Sequence, residues 1–323
     1  MTAPPDPVDE AVARHAAALT AWDEGRYAET VRLCRRALEL LEAQAGAGHP
    51  DVANVLTLLA GAQDELGAHR EAEAGHRRAV AVLAAFPHAG GDLLRLRVQA
   101  ALGLAGCLRR QGRYAESERL YRAARDDAAG CTELELAPLH NDLGVLHRFA
   151  GRLDEAHACY ARARAALEAA HGPDAPELAP VWHNLAGLAH ARGEPAEGVA
   201  YARRSLALHR LAYPPGHPAI AADEAQLAAL LHAAGHPAEA EPLLRAAIAT
   251  LAAPGRYGPD HIDVLAALHN LAAVRADLGD KAEAAALYRR ALDGKRRTLG
   301  PDHPETVLTL TSLSAVIAPA GPV

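Results

Sequence analysis

Apolar residues recur at helical spacing in paired runs along the chain. In the stretch 261–279, Ile262, Val264, Leu265, Leu268, Leu271 and Leu278 fall on a helical period and predict a first helix. The stretch 280–300 predicts a second. Gly279 between them suits a helix C-cap, where glycine adopts the left-handed conformation without strain. Glu283 falls near the start of the second helix, where the macrodipole favours an acid, and Arg296 and Arg297 fall near its end, where it favours a base. This unit recurs. Gly25, Gly67, Gly112, Gly151, Gly193, Gly235 and Gly279 are spaced by 42, 45, 39, 42, 42 and 44 residues. Four residues after each stands a glutamate: Glu29, Glu71, Glu116, Glu155, Glu197, Glu239 and Glu283. Such a register predicts a repeat architecture with one continuous core, not two domains as length alone would suggest.

Small residues flank each glycine at fixed distance. Twelve residues after come Ala37, Ala79, Ala124, Ala163, Ser205, Ala247 and Ala291. Seven residues before come Ala18, Ala60, Ala105, Gly144, Ala186, Ala228 and Ala272. They permit close approach of the two helices of a unit. Tyr121, Tyr160 and Tyr288, nine residues after their glycines, fill the space between successive units. Connectors with Gly, His or Asp, and Pro, related to GPDHP, follow five of the second helices (47–51, 172–177, 216–219, 258–263 and 300–305), and Pro50, Pro176, Pro218 and Pro304 suit the first turn of the next one. The junctions 86–92 and 126–136 depart from that form and are the expected kinks.

The segments 139–156, 182–198, 268–284 and 300–306 carry a resemblance to the tetratricopeptide repeat, in its 42-residue kinesin-light-chain-like variety. The resemblance implies an all-α solenoid over 8–317, with seven helix pairs, a single C-terminal helix and a right-handed superhelix. In it the first helices line a concave groove. Residues 1–7 and 318–323 are expected to be disordered. The terminal helix, 303–317, should turn a polar face outward through Thr309, Thr311, Ser312 and Ser314. Its many apolar residues suggest a homodimer contact instead.

Composition narrows the function. Apolar residues make up 50% of the chain and aromatics only 4%, so Leu and Ala build the core. A net charge of -7 argues against nucleic-acid binding, which needs a basic footprint. No apolar run is long enough to span a membrane, and the first residues lack the basic and apolar regions of a signal peptide. Cys34, Cys107, Cys131 and Cys159 show no metal or disulfide spacing and read as thiols in a reducing cytoplasm. The Arg, Ala, Gly and Pro bias points to a GC-rich bacterial genome. No phosphate loop, HExxH or GxSxG setting is present, so no cofactor, metal or enzymatic activity is expected.

If the small positions are buried, the exposed face of each first helix falls about 13, 10, 9, 6, 3 and 2 residues before its glycine. Read in order, that face is acidic at Asp23, Asp64 and Glu65, then basic at Arg109, Arg110 and Arg148. It then carries His183, Asn184, His190, Gln226, His232 and Asn270, with Asn141 one place off the asparagine register beside Asp142. Carboxamides both donate to and accept from an extended backbone, and arginine grips a carboxylate at two points. The resemblance implies that asparagines nine residues before the glycine hold a peptide backbone. An adaptor that binds an acidic or carboxylate-bearing segment near repeats three to six is the first expectation. The alternative is an oligomerising scaffold that works through its terminal helix or convex face.

Overall fold

Residues 6–87, 90–128 and 131–318 are described by a computed structural model. Among them the regular elements are helices: α1 (Pro7–Asp23), α2 (Tyr27–Ala45), α3 (Pro50–Glu65), α4 (His69–Leu83), α5 (Asp92–Arg110), α6 (Tyr114–Asp127), α7 (Glu133–Phe149) and α8 (Leu153–His171) come first. A 3-10 turn, Pro176–Leu178, leads into α9 (Ala179–Arg192). Then follow α10 (Pro195–Ala212), α11 (Pro218–Ala233), α12 (Pro237–Leu251), α13 (Ile262–Asp277), α14 (Lys281–Thr298) and α15 (Pro304–Ile317). They form helix pairs of an α-solenoid, with α15 unpaired. The chain divides into two units, Met1–Asn184 and Leu185–Val323. In the first, α1, α3, α5 and α7 touch in succession and form one layer; in the second, α11, α13 and α15 do the same. Of the ends expected to be disordered, 1–5 and 319–323 lie outside the described residues. Asp6 caps α1 by accepting the Val8 N–H at 2.8 Å, and Pro7 is its first residue.

Each beat glycine ends a first helix in the same way. At Gly279 (φ 91°) the glycine N–H donates to the Ala276 carbonyl and the Asp280 N–H to the Arg275 carbonyl, a Schellman closure. The next helix therefore starts two residues on, with its glutamate in the first turn. The small positions pack as their spacing requires. Ala18, Ala60, Ala105, Ala228 and Ala272 are 0% exposed, as are Ala37, Ala79, Ala163, Ala247 and Ala291. Tyr121 and Tyr160 are fully buried and Tyr288 nearly so. Gly144 stands where the other repeats carry mostly alanine, because a Cβ there would collide with the Tyr160 ring.

The connectors use a histidine cap. His49, His217, His261 and His303 each accept through Nδ1 the backbone N–H two residues on, at 3.1–3.3 Å, ahead of α3, α11, α13 and α15. At the 126–136 junction a Thr132–Glu135 capping box takes that role. Arg97 ties the two irregular junctions together. It donates to the Phe86 and Pro87 carbonyls and pairs with Asp127 at 2.6 Å.

The terminal helix differs from its expected orientation. Thr309 does not face outward: it is 0% exposed. It receives Lys295 Nζ at 3.2 Å and lies 3.0 Å from His269 Nδ1. Lys295 is itself buried and pairs with Glu305 at 2.8 Å, so a buried ammonium turns the threonine inward. Val307, Leu308, Leu310 and Ile317 are left on the exposed face, while Thr311 and Ser314 bond back to their own helix.

Substituting Gly144→Ala should cost about 1–3 kcal/mol, because the Tyr160 ring must move; an unchanged urea midpoint would contradict this packing. Acidification should also destabilise the fold. Burial pushes His76, His217 and His269 down to about 4, below their unfolded value. The unfolded chain therefore binds more protons between about pH 6.5 and pH 4, and stability present above that window is lost as pH falls through it. Asp142, which burial pushes up to about 6, acts in the opposite sense but is one group against three. The urea midpoint should fall from pH 7.5 to pH 5; a flat profile would contradict the burial of these rings.

Candidate functional site

A cleft of ≈ 590 Å³ opens on the first-helix layer of the first unit. His15, Leu19, Trp22 and Asp23 of α1 line it, with Thr57, Leu58, Gly61, Asp64 and Glu65 of α3. From α5 come Leu102, Gly103, Gly106, Arg109 and Arg110, and from α7 Pro138 and Asp142. These residues occupy the positions 13 to 2 before their glycines, so the helical register that buries the small residues also builds this wall. The cleft lies over repeats one to four, N-terminal of the expected centre. Of the expected contact residues it brings together Arg109 and Arg110.

Two second-helix side chains form its floor. His76 of α4 is 3% exposed and Tyr121 of α6 is 0% exposed. His76 lies flat against Gly103, where a Cβ would collide with the ring, and the Tyr121 hydroxyl sits under Gly106. Gly103 on α5 thus makes room for the His76 ring at the floor of the cleft, whereas a Cβ at Gly106 would make only an ordinary contact with Tyr121 Oη. His76 Nδ1, Tyr121 Oη and His15 Nε2 are buried atoms without a hydrogen bond among the described residues. His76 was not expected here. It occupies the position that Tyr121, Tyr160 and Tyr288 hold in other repeats, and the signal for it was Gly103 on the facing helix.

Charges divide into engaged and available groups. Asp64 is buried, lies 2.6 Å from His69 Nδ1 and accepts from Arg110 at 2.6 Å. Burial opposes its ionisation, but His69 and Arg110 outweigh it and hold the carboxyl below the usual range. Arg110, also 3.8 Å from Glu65, is therefore neutralised internally and is not a free clamp, contrary to expectation. Arg109 and Arg148 differ. Their guanidinium carbons lie 5.4 and 4.5 Å from the centroid of the exposed Phe149 ring, within cation–π range. Neither forms an ion pair among the described residues, and Arg148 Nε is buried without an acceptor. Burial and the neighbouring Arg110 lower the Arg109 pKa. Asp142 has no ion pair among the described residues either. Burial pushes it up to about 6 despite Arg109, Arg110 and Asn141 nearby.

The amide and histidine positions are mostly engaged. Asn184 Nδ2 donates to Asn141 Oδ1 at 2.8 Å, so these carboxamides hold each other between successive first helices. His183 is half-buried on α9 and has contacts of its own. In the second unit, His190 is exposed, and His232 Nε2 lies 2.6 Å from Asp277. Gln226 and Asn270 are half-buried on α11 and α13, and Gln226 Oε1 is buried without a partner among the described residues. The second unit also holds a buried set in which Ser205 Oγ and His209 Nδ1 both meet Asp223 Oδ2, at 2.8 and 2.7 Å. There the carboxylate is the shared partner, which fastens α10 to α11; a nucleophile needs serine bonded to histidine. No described helix is long and apolar enough to cross a membrane.

Family models described as tetratricopeptide repeat match residues 9–85, 96–169 and 177–253, and residues 264–305. No curated protein matches. Among solved structures, the chain is similar to a Rap protein complexed with competence and sporulation factor. That likeness has 16% identity and TM-score 0.68, over 92% of this chain and 78% of that one. It is similar to the apo form of RapI, with 13% identity and TM-score 0.58, over 90% and 98% of the two chains. A kinesin light chain-type protein of Podosopora anserina with nearly identical TPR-like repeats aligns at 24% identity and TM-score 0.47, over 57% and 85%.

Proposed function

The chain belongs to the tetratricopeptide repeat family, and on that premise we propose that it is a protein-interaction adaptor. It binds an extended peptide or disordered segment along the first-helix layer of its first unit, and that segment carries a carboxylate to Arg109 and Arg148. The observation behind this reading is the two guanidiniums within cation–π range of Phe149, neither of them in an ion pair among the described residues. An arginine already stacked on a ring keeps its edge donors for a carboxylate and loses little side-chain freedom on binding. The Rap structure that includes competence and sporulation factor agrees with a ligand-binding role for a chain of this fold. The adaptor is assigned to a bacterial cytoplasm, a reducing compartment in which Cys34, Cys107, Cys131 and Cys159 would remain thiols.

A second reading has its own observation. Val307, Leu308, Leu310 and Ile317 leave an apolar stripe on α15, which would suit a homodimer contact in a scaffold. Light scattering over a concentration series separates the two: a monomer unaffected by Leu308→Glu plus Leu310→Glu removes the scaffold reading.

The adaptor reading predicts micromolar, salt-sensitive binding to acidic peptides with free C-termini. Charge-assisted bonds of about 1.5–3 kcal/mol each should disappear in the Arg109→Glu, Arg148→Glu double variant, and its affinity should fall at least about a hundredfold. Peptides that bind the variant as they bind the parent chain would sink the groove model.

A further inference from the structure

The cleft and the arginine pair are different in charge. Four carboxylates line the cleft, Asp23, Asp64, Glu65 and Asp142, against two guanidiniums, Arg109 and Arg110. Arg110 is engaged with Asp64 and Glu65. Asp142 has Arg109 and Arg110 nearby but forms an ion pair with neither among the described residues, and Arg109 lies towards the Phe149 ring. A purely anionic ligand would enter a cleft that is already negative. The first unit also contains no lysine: both, Lys281 and Lys295, lie in the second.

The floor groups have the chemistry an ammonium needs. Such a group donates three hydrogen bonds and accepts none. Asp142 lines the cleft as a carboxylate without an ion pair among the described residues, and Tyr121 Oη and His76 Nδ1 are buried there without a hydrogen bond of good geometry among them, although Arg109 lies close to Tyr121 Oη. Buried acceptors left unmade are costly, so a donor that reaches them binds with more than its contact area alone would give. Trp22, Leu58 and Leu102 supply apolar wall along which an alkyl stem can lie, and Gly103 leaves room for the His76 ring at the floor.

We propose that this cleft is a lysine pocket: it takes a lysine side chain of the bound segment, with the ammonium on Asp142 and with Tyr121 Oη and His76 Nδ1 as further acceptors. The inference rests on the adaptor reading and makes the bound segment one of mixed charge, with lysine in the cleft and a carboxylate over Arg109 and Arg148. Burial also pushes the Asp142 carboxyl up to about 6, against the opposing effect of Arg109 and Arg110 nearby. The groups facing it are Arg109, Arg110, Asn141 and Tyr121, and none is an ammonium.

The test titrates the full chain calorimetrically with short blocked peptides, each with one lysine and one aspartate at varied separation, and with matched peptides that carry glutamine for lysine. At the best separation, glutamine should weaken binding about tenfold or more. In the Asp142→Asn variant, whose urea midpoint reports its folding, that lysine advantage should shrink to about twofold or less. Tyr121→Phe, which removes only the hydroxyl, should reduce it in part. Equal affinity for lysine and glutamine peptides overturns the pocket alone, provided the Arg109→Glu, Arg148→Glu variant still loses both. Tighter binding of the lysine peptides by Asp142→Asn also overturns the pocket, since it would make Asp142 a competitor for Arg109. Lysine preference that persists in the double variant supports the pocket and removes the arginine site. No binding by any peptide removes both.

Discussion

Close approach of the two helices in each repeat is the constraint on which the rest of this structure depends. Alanine, glycine or serine at two fixed positions lets the backbones meet, and the glycine closure between them sets the angle at which the second helix leaves. Once those positions are buried, the rotation of every first helix is determined. The side chains 13 to 2 residues before the glycine must then stand on one shared layer. The candidate site is thus a geometric consequence of the packing. Its more exposed residues are freer to vary in chemistry, while Gly103, His76, Asp64 and Tyr121 also pack between helices.

Charge on that layer is divided between holding repeats together and remaining available. Asp64 with Arg110, Asn141 with Asn184, and His232 with Asp277 each join one repeat to the next. A similar ladder runs on the second-helix side, where Arg113 meets Glu73 and Arg152 meets Glu118. Such partly exposed pairs contribute little each to stability, but they consume donors and acceptors that would otherwise face a ligand. What is left over in the first unit is Arg109, Arg148 and Asp142, with unpartnered floor atoms beneath. Unmatched buried polar atoms also occur elsewhere among the described residues, as at Tyr160 Oη and Trp182 Nε1; His76 and Tyr121 are set apart because theirs lie at the floor of a cleft that a partner can enter.

Much of this was legible in the chain itself, for a physical reason. Steric requirements recur with the repeat, so Gly279, Ala272 and Ala291 announce the helix pair without knowledge of any partner. The burial of Tyr121 and Tyr160 and the proline starts of α3, α11 and α15 follow from the same logic. Pairing was not legible. Arg110 and Asp64 are 46 residues apart, and Asn184 and Asn141 are 43 apart, so each pair depends on rotamers chosen across a repeat boundary. Thr309 looked like a surface threonine because its neighbours are helix-surface types, and only the buried Lys295 explains its inward turn. His76 escaped notice because it replaces a tyrosine, yet Gly103 on the facing helix marked the space it needs.

The central claim is that ligands meet the first-helix layer of the first unit. Hydroxyl-radical footprinting of the full chain, free and saturated with a peptide selected for binding, addresses it directly. Trp22 lines the cleft and Phe149 is exposed beside the two arginines, and both side chains are readily oxidised. The account predicts protection of Trp22 and Phe149 on binding, with Leu308 and Leu310 unchanged. Protection of α15, with Trp22 and Phe149 still open to oxidation, would contradict it.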